Sequence, residues 1–414
     1  MTKRGDSKLS TSRVLRLGSM ARAGLGTASA MLRGSAGGLE DAVERLGELR
    51  GLGTKVGQMA GLVEANLPEE LRDKVGPALA KLRDQTATSP WESVQALLEQ
   101  ELGAPVLECF DTFEPAPFAS ASLGQVHRAT WQGQELAVKV QHPGIQEAFR
   151  GDLQNITGLA SVATTFVMPA DAGREFLDSI RGGFLAELDY RREAANVALF
   201  EALTKDDPDL FVPGVVAERS ADRVLTTLFA RGASVDSAAA FAEHERARLS
   251  AAVRRFVLGT MLEHGVLYAD AHAGNFLFEA GAPLTVLDFG SVVRFDASKY
   301  EDFRVMGRAA LGGDYAAFER AVAHVVGFDH PRALPAVAKV QWEAFGALLR
   351  GERIDRAHVR RITENIGDVK RAILSARVPL PPFMPFWMRT LLASVALLAA
   401  LDAPAVAPLR VPTA

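Results

Sequence analysis

Two short polar stretches inside apolar runs constrain the fold of this chain more than any other feature. The first is "LYADAHAGNFLF", residues 267–278, in which four residues separate Asp270 from Asn275. The second, "TVLDFG", is an apolar strand pattern that delivers Asp288 into a glycine turn. Phosphoryl transfer needs a carboxylate that orients the attacking oxygen and further oxygen ligands that hold magnesium on the phosphates. The order and spacing of Asp270, Asn275 and Asp288 supply both kinds of group.

A lysine upstream supplies the cation that such a site needs. The stretch "ELAVKVQHPG" places Lys139 in an alternating strand, and its apolar neighbours indicate a half-buried position. This is the context in which a strand lysine grips the α- and β-phosphates of ATP. A buried lysine needs a carboxylate partner, and "AELDYRREAAN" offers Glu187, Asp189 and Glu193. Glu193 lies one helical turn after Asp189, but spacing alone does not choose the partner.

The expected phosphate loop is unusual. Ordinary kinases place a glycine-rich loop over the phosphates, because bare backbone can approach them closely. Here "PFASASLGQVHRA", residues 117–129, contains only Gly124 and has alanine and serine where glycine would give room. Nucleotide could bind beneath such a loop, with its phosphates held differently.

Composition excludes several classes of protein. The chain has 414 residues, of which 48% are apolar, and a formal net charge of −4. It is long enough for two or three globular domains, and its charge argues against a main role in nucleic-acid binding. Cys109 is the only cysteine, which excludes an internal disulfide and fits a reducing compartment.

The two ends of the chain raise the question of membrane contact. Residues 1–34 carry seven basic residues and one acidic residue, which is typical of a frayed terminus or of a helix on an anionic membrane surface. No secretory signal is evident, so we expect a cytoplasmic protein with at most peripheral membrane contact. The twelve-residue apolar run "TLLASVALLAAL", residues 390–401, is too short to span a bilayer and predicts a buried helix.

The distribution of helix and strand patterns along the sequence predicts an α+β protein. A helical segment, with Ser89 as a cap and Gly103 as a stop, precedes a β-rich segment of three strands. A long helix over 172–203 and a hairpin over 215–229 follow, and helices dominate beyond residue 240. The predicted domains are a basic arm (1–35), a helical extension (36–104), a β-rich lobe with the long helix (105–230) and a helical lobe (231–414).

Taken together, the motifs resemble the UbiB/AarF (ADCK-type) atypical kinase-like proteins. The resemblance runs in order through "TKVGQ", "ASASLGQVHRA", "LAVKVQHPG", "ELDYRREAAN", "ADAHAGN" and "LDFG". It implies a bilobal, protein-kinase-like fold whose N-terminal helical extension carries a KxGQ motif over the mouth of the site. It also implies ATP or ADP, Mg²⁺, weak ATPase activity and a supporting role in quinone or isoprenoid-lipid metabolism.

The resemblance also assigns roles to single residues. Lys55, Gly57 and Gln58 match the KxGQ signature, and Glu187 and Asp189 match the E-x-D element that faces it. Glu193 then becomes the catalytic partner of Lys139. Asp270 matches the catalytic aspartate, and Asn275 and Asp288 match the magnesium ligands. The expected nucleotide-binding residues are Ala119, Ser120, Ala121, Ser122, Leu123, Gly124, Val126, Ala137, Lys139 and Phe229.

The chain departs from the family pattern at four positions. Tyr268, Ala271 and Ala273 replace a histidine and two prolines of the usual catalytic loop. Losing two prolines should loosen that loop. Leu228 stands where relatives usually have an acidic hinge residue, which affects adenine binding less because hinge hydrogen bonds come mostly from backbone.

Two other functions remain open. Antibiotic and choline phosphotransferases share the D-x-x-x-x-N and D-F-G arrangement, but they lack "TKVGQ" and an alanine-rich loop followed by "GQVHRA". A pseudokinase that binds nucleotide without turnover is the other alternative. His272, with no second histidine or cysteine nearby, is expected to brace the loop rather than bind a metal.

Overall fold

The computed structural model describes residues 88–120, 123–146, 188–376 and 378–413. The chain divides into two compact units, one made of Met1–Leu188 with Ala217–Thr226 and the other of Asp189–Val216 with Thr227–Ala414. The predicted basic arm and most of the predicted helical extension lie outside the described residues. The same is true of Lys55, Gly57, Gln58, Ala121, Ser122 and Glu187.

The first unit is built on an antiparallel sheet in the order β1-β3-β4-β6, with β2 also paired to β3. Its elements are α1 (Trp91–Leu102), α2 (Val106–Cys109), β1 (Thr112–Phe113), β2 (Ala119–Ser120), β3 (Gly124–Trp131), β4 (Gln134–Gln141) and the first three residues of β6 (Val224–Leu228). The β3–β4 hairpin turns at Gln132 and Gly133, which both have positive φ. One face of this hairpin is fully buried, because Leu136, Val138 and Val140 are inaccessible to solvent.

Two predictions for this region need correction. Three strands were expected from residue 106, but "VLEC" forms the short helix α2 and four strands follow it. Pro105 precedes that helix, and the amide of Phe110 closes its turn on the carbonyl of Val106. Gly103 does end α1 in the left-handed conformation, as predicted, but Ser89 does not cap it. The amide of Ser89 instead donates to the side-chain oxygen of Gln125 at 2.7 Å.

The predicted hairpin over 215–229 is also only partly correct. β6 forms, but its expected partner strand is reduced to one bridge between Val215 and Thr227. Side chains satisfy the backbone between them: the amide of Thr226 donates to the Ser220 hydroxyl at 3.0 Å, and the Thr226 hydroxyl donates to the carbonyl of Arg219. Such local side-chain bonds compete with strand pairing, as serine and threonine commonly do.

Only the last part of the predicted long helix over 172–203 lies within the described residues. Helix α3 runs from Tyr190 to Thr204, and residues 172–187 lie outside the described residues. Asp189 has a non-helical φ of −101°, and its carboxylate accepts a hydrogen bond from the amide of Arg192. It is therefore an N-cap, which starts a helix rather than continuing one.

The second unit is mainly helical. Its elements after α3 are β5 (Leu210–Phe211), the end of β6, α4 (Val235–Ala238), α5 (Glu243–Arg254), α6 (Thr260–His264), β7 (Val266–Tyr268), β8 (Phe276–Leu277), β9 (Leu284–Val286), β10 (Val292–Arg294), α7 (Ala297–Leu311), α8 (Tyr315–Val326), α9 (Ala333–Gln341), α10 (Ala347–Leu349), α11 (Arg356–Ala376) and α12 (Met384–Ala400). Single π-helical turns join α5 to α6 and α9 to α10. Two small sheets, β10-β7 and β5-β9-β8, lie among these helices.

One hydrophobic core holds the second unit together. It includes the apolar run predicted to be a buried helix, since Leu391, Val395 and Leu398 of α12 are at most 1% exposed. No described helix is both long and apolar enough to cross a membrane. Five aromatic rings pack beneath the loops that carry Asp270 and Asp288. Neighbouring ring centroids lie 5.1 to 6.4 Å apart, and the rings belong to Phe200, Phe256, Tyr268, Phe276 and Phe289.

Candidate functional site

The catalytic-type loop between β7 and β8 folds back on Asp270. The carbonyl of Asp270 accepts the amide of His272 at 2.7 Å and the side-chain nitrogen of Asn275 at 2.9 Å. The Asp270 side chain is 31% exposed, so its carboxylate can meet a ligand. Because the nitrogen of the Asn275 amide is held by this bond, its oxygen is the atom that can contact a cation. The structure thus brings Asp270 and Asn275 together.

The segment that carries Asp288 is joined to the same loop. β8 pairs with β9 through Phe276 and Val286, and the amide of Leu287 donates to the carbonyl of Asn275 at 2.8 Å. Asp288 has a φ of +56°, and one of its carboxylate oxygens accepts the amide of Gly290 at 3.2 Å. A non-glycine residue in the left-handed region is uncommon and is often found at functional sites.

Tyr268, at the position where the resemblance expects histidine, ties the two segments together. Its side chain is fully buried, and its hydroxyl donates to the carbonyl of Leu287 at 2.7 Å. Burial raises the pKa of Tyr268 well above its usual value, and the nearby negative charges of Asp270 and Asp288 raise it further. The phenol therefore stays protonated and acts as a hydrogen-bond donor in the floor of the site.

His272 is an exposed brace within the loop. Its Nδ1 accepts a hydrogen bond from the amide of Gly274 at 3.1 Å. This bond makes Nδ1 the accepting nitrogen of the ring. This is the loop-bracing role expected from the sequence.

Helix α3 packs against the Asp288 segment. Asn196 is buried, and its side-chain nitrogen donates to the carbonyl of Phe289 at 2.9 Å. Glu193 lies one turn earlier and is 3% exposed. A carboxylate this deeply buried requires a compensating partner. Asp189, in contrast, is exposed at the start of the helix.

The first unit presents Lys139 on the half-buried face of its hairpin. Lys139 lies opposite Val126 in the register of β3 and β4, and Ala137 is two residues away on the same face. Ala119 and Ser120 form β2 beside them, and Leu123 and Gly124 are buried where the loop enters β3. These expected nucleotide-binding residues therefore cluster within the first unit. Phe229 belongs to the second unit.

The donor set of the second unit fits a magnesium ion. Mg²⁺ prefers carboxylate and amide oxygens, and Asp270, Asn275 and Asp288 supply them within hydrogen-bonded segments. Asn275 and Asp288 are the residues that would hold the ion. The backbones of Asn275 and Asp288 are linked through Leu287, so the backbone positions from which the two side chains extend are fixed relative to each other.

Two residues that hydrogen-bond to the backbone of this site were not predicted from the sequence. Neither Asn196 nor Arg389 was assigned a role from the sequence. The guanidinium of Arg389 donates to the carbonyl of Ala269 at 3.0 and 2.6 Å and to the hydroxyl of Ser291 at 3.1 Å. Both contacts join distant parts of the chain, so no local pattern predicts them.

Comparisons with known proteins identify the family of the chain. Residues 81–322, which include Lys139, Asp270 and Asp288, match a family model described as the ABC1 atypical kinase-like domain. The rat "Atypical kinase COQ8B, mitochondrial" is 31% identical over 277 residues, covering 66% of this chain and 52% of the rat protein. The Arabidopsis thaliana "Protein ACTIVITY OF BC1 COMPLEX KINASE 8, chloroplastic" is 34% identical over 244 residues, covering 57% and 32% respectively.

The yeast protein "Atypical kinase COQ8, mitochondrial" from Saccharomyces cerevisiae is 29% identical over 274 residues, covering 64% of this chain and 52% of the yeast protein. The chain thus spans about half or less of the length of these curated relatives. Among solved structures, a Mycobacterium tuberculosis protein described in "The complex structure of Rv3197-erythromycin" is similar with a TM-score of 0.58 and 26% identity, covering 85% of this chain and 88% of that one. The predicted α+β, kinase-like fold is confirmed, and the chain belongs to the ABC1 atypical kinase-like family.

Proposed function

We propose that this chain binds ATP with Mg²⁺ and acts as an ATPase or small-molecule phosphotransferase that supports quinone or isoprenoid-lipid metabolism. The observation that carries the proposal is the junction of Asp270, Asn275 and Asp288. The two loops that carry them are joined by β8–β9 pairing and by backbone hydrogen bonds. These links support a shared role for the three oxygen-bearing side chains.

Each residue has a role in this proposal. The acceptor oxygen attacks the γ-phosphorus, the bond to the β–γ bridging oxygen breaks, ADP leaves and the acceptor's proton passes to the Asp270 carboxylate. Lys139 holds the α- and β-phosphates, and Glu193 positions Lys139. Asn275 and Asp288 would hold Mg²⁺, which would supply positive charge against the phosphates. With water as the acceptor, the same steps give ATP hydrolysis.

The magnesium assignment is tested by Asp288→Asn. We expect the parent protein to gain several degrees of thermal stability at saturating Mg-ATP, because a ligand at 100 times its Kd stabilises the folded state by about 2.7 kcal/mol. Asp288→Asn should lose the magnesium-dependent part of this gain. Asp302→Asn is the control, since that carboxylate contacts Lys299 on α7. An Asp288→Asn protein that responds to Mg-ATP as the parent does would contradict the proposal.

Turnover separates the enzyme from a pseudokinase. We expect phosphate release from ATP by the purified chain, with higher rates in the presence of liposomes or phenolic headgroup analogues. Stimulation supports a role at a lipid surface. Saturable Mg-ATP binding without phosphate release supports the pseudokinase alternative instead.

Antibiotics form a second class of candidate ligand. The mycobacterial protein that is similar over 85% of this chain is described as a complex with erythromycin. Its likeness supports macrolide binding by this chain as a second candidate function, and family membership disfavours an ordinary antibiotic phosphotransferase. A thermal-shift titration with erythromycin, followed by mass analysis for a phosphorylated product, distinguishes no binding, binding alone and phosphotransfer.

The domain roles and location are parts of the same proposal. Residues 36–104 would form the KxGQ extension, with Lys55, Gly57 and Gln58 facing Glu187 and Asp189 and limiting access to the site. The several relatives whose names give an organelle are mitochondrial or chloroplastic. For this chain we propose peripheral contact with the cytoplasmic face of a membrane, a lipid or quinone precursor as small-molecule partner, and no nucleic acid.

A further inference from the structure

Arg389 of helix α12 contacts the backbone of the candidate catalytic loop. The Nε and Nη2 groups of Arg389 donate to the carbonyl of Ala269, the residue just before Asp270. Nη2 also donates to the hydroxyl of Ser291, three residues after Asp288. The backbones of these two segments are already joined by the hydrogen bond from the amide of Ala269 to the carbonyl of Ser291 at 3.0 Å. The guanidinium of Arg389 adds side-chain bonds on both sides of that link. No other described side chain hydrogen-bonds to both Ala269 and Ser291.

The charge of Arg389 is a weaker effect than its geometry. Nη2 lies 3.6 Å from a carboxylate oxygen of Asp270, and the two side chains are 36% and 31% exposed. A half-exposed ion pair at that distance is worth little, because solvent screens it. The fork of hydrogen bonds to Ala269 and Ser291 is short and directional, and a planar guanidinium is the side chain that can form it.

Hydrogen bonds within the loop join Asp270 to His272 and Asn275, but two restraints that the resemblance expects are missing. Ala271 and Ala273 stand where the resemblance expects prolines, and a backbone without proline has more conformations available. α12 supplies restraints from outside. Besides the Arg389 fork, the Thr390 hydroxyl lies 3.3 Å from the carbonyl of Tyr268. The catalytic-type loop is thus held from the C-terminal helix.

We infer that Arg389 is a positioning residue that fixes Asp270 relative to Asp288 through Ala269 and Ser291. Its kinetic consequence rests on the proposed function. Lys139, Asn275 and Asp288 are not bonded to Arg389, so nucleotide binding should survive its loss. Turnover should not, because a displacement of about 1 Å in a catalytic group can cost roughly 100-fold in rate.

The test compares four variants with the parent. Arg389→Met removes the whole fork, and Ser291→Ala removes one of its acceptors with a smaller risk to folding. Arg389→Lys keeps the charge and loses the fork. Arg308→Met is the matched control, because Arg308 also joins a helix to distant backbone, at Pro412, without touching the loop. The readouts are kcat and KM for ATP, Mg-ATP affinity by calorimetry, and deuterium uptake over residues 267–278 and 286–292.

We expect Arg389→Met to lower kcat about 10- to 100-fold while KM and the Mg-ATP Kd stay within about threefold. Deuterium uptake should rise in both segments. Ser291→Ala should show the same changes to a smaller degree, Arg389→Lys should restore only part of the rate, and Arg308→Met should stay within about twofold of the parent.

Three results would overturn the inference. They are an unchanged kcat in Arg389→Met and Ser291→Ala, full restoration by Arg389→Lys, which would indicate a role for charge alone, and unchanged deuterium uptake in both segments. A parent that binds Mg-ATP without turnover contradicts the proposed function and not the positioning. Deuterium uptake then decides: a rise in both segments supports the inference and its absence refutes it.

Discussion

At the scale of single residues, the buried hydroxyl of Tyr268 joins two segments whose connection the sequence does not show. The sequence shows Tyr268 only as a departure from a histidine. In the structure its hydroxyl bonds to the carbonyl next to Asp288, 19 residues later. That contact depends on how β7 and β9 are placed, which local pattern does not reveal. The motifs that contain Asp270, Asn275 and Asp288 are visible in the sequence because their spacing is local, and the roles of these residues stay predictions.

Tyr268→Phe tests this contact. The change leaves the buried carbonyl of Leu287 without this donor, so we expect a loss of about 1–3 kcal/mol in the free energy of unfolding. Weaker Mg-ATP binding should accompany it, because the Asp288 segment loses a restraint. Chemical denaturation and calorimetry measure the two effects. Tyr300→Phe is the control, since the Tyr300 hydroxyl has no hydrogen-bond partner within the described ranges, and a loss as large there would contradict the explanation.

At the scale of elements, a short polar network joins the start of α1 to the sheet. The side-chain oxygen of Gln125 accepts the amide of Ser89, so the Gln125 nitrogen faces Nε2 of His127 at 3.0 Å. Nε2 must therefore accept, and Nδ1 carries the proton that is donated to the carbonyl of Glu114 at 2.9 Å. A second proton on His127 would set two donors against each other. Burial lowers the pKa of His127, and the bond to Glu114 partly offsets this.

This network makes the first unit sensitive to mild acid. The folded-state pKa of His127 is lowered below that of the unfolded chain, so the unfolded state binds more protons as pH falls below about 6.5. Stability is complete above that pH and declines as pH falls further towards the folded-state pKa. We expect the parent's midpoint of urea unfolding to fall between pH 7 and pH 5, and His127→Gln to reduce this decline. His324→Gln, at an exposed histidine, should decline as the parent does.

Element boundaries were the least predictable level. The existence of α1, β3, β4 and α12 follows from periodicity and from glycine stops. The start of α3 does not, because Asp189 can be a helix interior residue or an N-cap, and only its φ and its bond to Arg192 decide. The failed hairpin over 215–229 has a similar cause, since the hydroxyls of Ser220 and Thr226 took the backbone partners that a second strand would have used.

At the scale of the whole molecule, the last residues of the chain close over the helical unit. The amide of Val406 donates to the carbonyl of Gly351 at 2.8 Å, and the amide of Leu409 donates to the carbonyl of Leu349 at 2.8 Å. Gly351 has a φ of +68°, and a Cβ atom there would lie 2.1 Å from the carbonyl oxygen of Val406. The segment can pass so close only because residue 351 is glycine.

Gly351→Ala should therefore be more costly than its backbone conformation alone predicts. Gly313 has a similar φ of +71°, but a Cβ atom there would meet no neighbouring atom within 4 Å, so Gly313→Ala isolates the conformational cost of about 1–2 kcal/mol. We expect a clearly larger fall in Tm for Gly351→Ala. Equal falls in the two variants would show that the C-terminal segment moves aside freely.

Family and fold were predictable at this scale because ordered motifs along the chain carry them. The closing contacts of α12 and of the C-terminal segment were not predictable, since each joins residues far apart in sequence. Arg389 and Ala269 are separated by 120 positions, and the family match ends at residue 322, before Arg389.

That separation has a consequence for synthesis. A ribosome adds about 5–20 residues per second, so the catalytic-type loop is made roughly 6 to 24 s before the arginine that ties it in place. During that interval the nascent chain carries all the recognisable motifs without the fork that orders them. The order of translation therefore delays a fully aligned site until the C-terminal helix has been made and has docked.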